Sequence, residues 1–68
     1  MIGTVVKFNS KGLAIVDFDS GQRATIEVIS GNVENGDQLE GNFYNLGSQD
    51  IKNNSKAEAV HVFIEDHS

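Results

Sequence analysis

Apolar and polar positions alternate along this chain in short runs separated by Gly, Asn, Asp and Ser. Residues 2–8 are β-branched and apolar through Ile2, Thr4, Val5 and Val6 and end on Phe8, a strand composition. Asn9-Ser10-Lys11-Gly12 reads as a turn, 13–18 as a second strand, and Asp19-Ser20-Gly21-Gln22 as a hairpin turn. In 23–29, Ala24, Ile26 and Val28 fall on one face, and Arg23, Thr25 and Glu27 fall on the other. Residues 30–37 are too rich in breakers for regular structure, and Val33 is their one apolar anchor. A fourth strand is expected over 38–45, with Gly41 marking a bend. Residues 46–56 read as a long polar loop, 57–65 as a fifth strand, and 66–68 as a frayed end.

Five short strands and no helical periodicity predict an all-β chain, one domain over 1–68. A flat sheet of this size cannot cover both its faces. A small five-stranded antiparallel barrel, OB-like, joins a single core to a closed edge. An SH3-like barrel fits the same strand count. The expected core is Val5, Val16, Ile26, Val28, Leu39, Phe43, Val60 and Val62, with Ala14 and Phe18 pointing inward beside Val16.

The opening segment adds a resemblance. Gly3, Val5, Phe8, Asn9, Lys11, Gly12 and Val16 keep the frame of a cold-shock domain, and the stretches 24–28, 33–43 and 57–62 follow its order. The chain thus resembles a diverged cold-shock domain, a family of OB-fold single-strand binders that stack bases on outward aromatics. The departures fall on those aromatics. Lys7 stands where the family has Trp, Leu13 and Ile15 where it has Phe, and Glu27 brings a carboxylate to the same face. Stacking is worth about 1–3 kcal/mol per base, so their loss implies weak binding. The residual nucleic-acid signature is Lys7, Phe8, Lys11 and Arg23. The replacements Leu13 and Ile15 are expected to form an exposed apolar patch for an unidentified protein partner or a homodimer. If strand two is shifted by one residue, Ile15 is core instead.

Charge speaks against a strong nucleic-acid binder, and the acidic half reads most simply as a solubility device. Residues 1–31 are neutral, and the whole net charge of −5 falls on 32–68. Nucleic-acid affinity rests on phosphate neutralisation, and five Lys and Arg spread over 68 residues are a poor footprint for it. No apolar run approaches the roughly 20 residues of a membrane-spanning helix. Residues 1–4 have no signal-peptide character, and with no Cys a cytoplasmic protein is expected. Without secretion, the Asn53-Asn54-Ser55 glycosylation pattern is accidental.

No cofactor is expected. His61 and His67 with Glu58, Glu65 or Asp66 make no recognised metal spacing, and Asp17-x-Asp19-x-Gly21 departs from a calcium loop at its Gly and twelfth position. The sequence has no Gly-x-Ser-x-Gly, no Cys and no His beside an evident nucleophile, so no enzyme is expected. Two readings remain: a non-catalytic binding module acting through protein contact or self-association, or a weak single-stranded RNA or DNA binder.

Overall fold

The computed structural model describes residues 1–68 and contains no helix. Six strands form: β1 Ile2–Phe8, β2 Ala14–Phe18, β3 Arg23–Ser30, β4 Gln38–Glu40, β5 Gly47–Asn53 and β6 Glu58–His67. They close into a barrel in the order β1-β2-β3-β6-β5-β4, and every neighbouring pair is antiparallel. The barrel is two three-stranded meanders, β1–β3 and β4–β6, joined along β3–β6 and along β1–β4.

The expected all-β barrel is therefore present, with six strands where five were read. The polar stretch 46–56 is not a loop, because β5 runs through it and pairs with β6 over all seven of its residues. The fourth strand stops at Glu40 instead of running to 45. Beyond it the chain turns at Gly41, where a Cβ would lie 2.5 Å from Cγ2 of Ile51, and drops Phe43 into the core. Residues 66–68 are not frayed either. β6 extends to His67, and Ser68 exchanges two backbone hydrogen bonds with Arg23, of 2.7 and 2.9 Å.

Twelve side chains fill the interior: Val5, Ala14, Val16, Phe18, Ala24, Ile26, Leu39, Phe43, Ile51, Val60, Val62 and Ile64. Phe18 and Phe43 meet edge to face with centroids 5.0 Å apart, a favoured aromatic geometry. Seven of the eight expected core residues are buried. Val28 is only partly so and packs on the core's edge with Val33, next to a slip in the β3–β6 register between Val28 and Ser30.

One end of the barrel is closed by a polar knot. Asp37 Oδ2 accepts hydrogen bonds from the Glu34 backbone N–H at 2.9 Å, Asn53 Nδ2 at 2.9 Å and Lys56 Nζ at 2.7 Å. Asn53, fully buried, also donates to the Asn32 carbonyl at 2.9 Å and accepts from the Lys56 N–H at 3.2 Å. These bonds tie the 31–37 loop to the β5–β6 turn. Hydrogen bonds from Lys56 and then Asn53 hold the Asp37 carboxyl down at about 2.

Candidate functional site

The face expected to bind is the outside of β1, β2 and β3. In antiparallel strands, residues directly opposite each other share a face. A bulge at Val6 breaks the β1–β2 ladder, so that Val5 pairs with Val16 but Lys7 with Ile15 and Phe8 with Ala14. Lys7 is thereby turned outward, while Phe8 falls on the inner side, at the barrel rim, 39% exposed. The Asn9–Gly12 turn puts Lys11 in solvent beyond the strand ends, with Asn9 Oδ1 accepting from the Lys11 and Leu13 N–H groups at 2.9 and 3.0 Å. Arg23 lies opposite Asp17 and forms a two-pronged ion pair with it, Nε–Oδ1 2.6 Å and Nη2–Oδ2 3.1 Å. That pair lowers the Asp17 carboxyl and raises the Arg23 guanidinium, chiefly through its hydrogen bonds. The four residues of the residual nucleic-acid signature are thus dispersed over an outer strand face, an inner rim and a turn, and one is already bound to a carboxylate.

The expected patch of Leu13 and Ile15 is not exposed. Leu13 is half-buried. Ile15 is 7% exposed, and yet it is not core. Its neighbours Ala14 and Val16 point inward, and Ile15 takes no part in the core cluster. It points outward between Lys7 of β1 and Thr25 of β3. A lysine stem can cover apolar surface while its ammonium stays in water. Lys7 also helps to lower the Asp17 carboxyl, which lies two residues along from Ile15 on the same face.

A different apolar strip is exposed on the outside of β3, β6 and β5. Phe63 stands at its centre, 40% exposed, between Glu27 of β3 and Ser48 of β5. Leu46, 62% exposed, immediately precedes β5, and Gly47 between them, at a φ of 102°, takes it out of the strand's alternation. Ile29, 53% exposed, projects from the slip in β3 beside the Ser30–His61 pair. Glu27, Asp50 and Glu65 are exposed around this strip, with Lys52 exposed two residues beyond Asp50 on the same face of β5. The sequence pattern showed that Phe63 lay opposite its strand's core residues. It could not show which strands would flank it.

His61 lies on this same face. Its Nδ1 is 2.6 Å from Asp50 Oδ1, the cross-strand partner, and its Nε2 is 3.2 Å from Ser48 Oγ. The sequence showed no His beside a nucleophile because Ser48 and His61 meet only through the β5–β6 register. His67 is on the other face of β6, with its ring 5.9 Å from that of Phe18 and 5.0 Å from that of Tyr44. The two histidines therefore do not converge, and no group of three metal-ligating side chains forms. The barrel interior leaves no pocket.

No protein-family model, curated protein or solved structure matches this chain.

Proposed function

We propose that the protein is a binding module that docks a cationic segment of another protein on the outer face of β3, β6 and β5. The observation that carries this reading is Phe63 with Ile29 on the outer strand face and Leu46 in the connection just before β5, all open to water and bordered by carboxylates. Exposed aromatic and aliphatic side chains within a polar rim are the common anatomy of protein contact surfaces. The charge selects the partner. Two copies meeting through this face would bring Glu27, Asp50 and Glu65 against their equivalents, and like charges in contact are costly. A partner with Lys or Arg around an apolar anchor meets both requirements. The single-strand reading draws less support, because Arg23 is paired with Asp17 and Phe8 and Lys7 lie on opposite sides of β1.

The test is an affinity series with a synthetic amphipathic peptide of Lys, Leu and Trp. Phe63→Ala should weaken binding about five- to thirtyfold, the equivalent of roughly 1–2 kcal/mol at a buried aromatic contact. Charge reversal at Glu27 and Glu65 should weaken it further and flatten its salt dependence. Equal affinity for wild type and Phe63→Ala, with both variants folded, would contradict the proposal.

A further inference from the structure

We propose that Ser48, His61 and Asp50 form a nucleophilic site on the outside of β5 and β6, in which Ser48 accepts the acyl group of small activated esters. The three residues lie on the proposed docking face, and the activity requires no bound peptide. It stands on the line of hydrogen bonds running from Asp50 Oδ1 to His61 Nδ1, 2.6 Å, and from His61 Nε2 to Ser48 Oγ, 3.2 Å. An Nδ1–H donated to the Asp50 carboxylate fixes the imidazole tautomer and aims the ring. The Nε2 lone pair is then left facing the serine hydroxyl, the division of roles that activates a serine.

Strand geometry holds the three groups together. Asp50 is directly opposite His61, and Ser48 follows on the same face of β5, diagonal to the histidine. Side chains on such a diagonal are within mutual reach. All seven residues of β5 are paired to β6, so the spacing of the three groups is built on paired backbone and not on a loop. Water satisfies the ring nitrogens of a solvent-exposed histidine, whereas both nitrogens of His61 have a protein partner.

In the reaction, the Ser48 Oγ forms a bond to the ester's carbonyl carbon while His61 Nε2 takes its proton. The tetrahedral intermediate collapses by breaking the bond to the leaving oxygen. That oxygen departs with the proton from His61, or as an aryloxide while the imidazolium gives its proton to solvent, leaving an ester on Ser48 and a neutral His61. A water molecule, deprotonated by the same Nε2, then attacks the acyl carbon; the acyl–Oγ bond breaks, His61 returns the proton to Oγ, and the carboxylic acid leaves. The sum is ester plus water giving acid plus alcohol. No pocket surrounds the triad, so selectivity among acyl groups is not expected. The acceleration should be that of a positioned general base alone, about 10²-fold.

The experiment is acylation of the intact protein by p-nitrophenyl acetate, read by nitrophenolate release and by peptide mapping of the adduct. The expected result is one hydroxylamine-labile acetyl group on Ser48, absent from Ser48→Ala. His61→Gln should slow acylation of Ser48 about 10²-fold while leaving acetylation of amines unchanged. Asp50→Ala, at a positioning residue, should slow it less and move the pH–rate profile. All three side chains are on the outer face, and matching melting curves would establish that the variants are folded. Acetylation confined to amines, or an equal rate of nitrophenolate release from Ser48→Ala, would overturn the proposal.

Discussion

Ile15 separates two properties that strand alternation treats as one, direction and exposure. Alternation through Ala14, Val16 and Phe18 turns Ile15 outward, and it does point outward. What covers it is cross-strand, with Lys7 on one side and Thr25 on the other. The bulge at Val6 that brings Lys7 opposite it cannot be read from composition. Ile15→Lys should consequently fold, because an ammonium on the outer face can reach water. It should still lose apolar contact worth roughly 1–2 kcal/mol, lowering the melting temperature by about 5–10 °C for a domain of this size. An unchanged midpoint would mean that the site is open, and a variant that fails to fold would mean that it is core. Gly41 is a second such case. The sequence marks it as a bend, and its tighter constraint is contact: a Cβ there would lie 2.5 Å from Cγ2 and 2.9 Å from Cβ of Ile51. Gly41→Ala should destabilise the barrel by about 1–3 kcal/mol through overpacking, measurable by urea unfolding.

At the scale of elements, β5 was the strand hidden from sequence reading. Of its seven residues only Ile51 is strongly apolar, and its outward positions Ser48, Asp50 and Lys52 resemble a loop. The inward Asn53 takes a place that an apolar side chain would normally announce. It can do so because its amide is fully engaged by Asn32, Asp37 and the Lys56 backbone. Strand identity here comes from pairing with β6, a long-range property. The same knot predicts an acid-sensitive element. Asp37 titrates at about 2 in the fold against an ordinary 3.8. A depressed carboxyl stabilises the fold fully above its unfolded value, so this contribution is present above about pH 4. It is lost as pH falls through about 2, and amounts to roughly 1–2 kcal/mol. Lys56→Met removes the largest cause of the depression. Urea unfolding from pH 2 to 7 should then show a shallower loss of stability between pH 4 and 2 than wild type, and lower stability at neutral pH. Parallel curves for the two proteins would rule out the Asp37–Lys56 pair as the cause. Asn53→Ala leaves the buried Asp37 oxygen short of a donor and should cost about 1–3 kcal/mol.

For the whole molecule, the rhythm of short runs and turns was enough to imply a closed β-barrel, because a 68-residue sheet has no other way to bury one face and protect its edges. The inward residues of β1, β2, β3 and β6 were legible for the same reason. The candidate surface was less so. The resemblance to cold-shock domains pointed to the outside of the first three strands, but there the basic residues are dispersed and the aliphatic replacements covered. The exposed group of Phe63 and Ile29, with Leu46 just before β5, is assembled by β6 pairing with β3 on one side and β5 on the other, and neither pairing is visible in a linear pattern. The unequal charge of the two halves was legible: the acidic second half supplies β5 and β6, two of the three strands of the proposed docking face.

A chemical-shift titration of the ¹⁵N-labelled protein at 0.15 M salt tests the central claim most directly, with the amphipathic cationic peptide and a single-stranded oligonucleotide added to separate samples. The peptide should perturb the amides of Glu27, Ile29, Leu46, Ser48, His61 and Phe63 as one contiguous surface, while the oligonucleotide leaves the spectrum nearly unchanged. Perturbations confined to Lys7, Phe8, Lys11 and Leu13 on adding the oligonucleotide, with the β3–β6–β5 face silent towards the peptide, would contradict it.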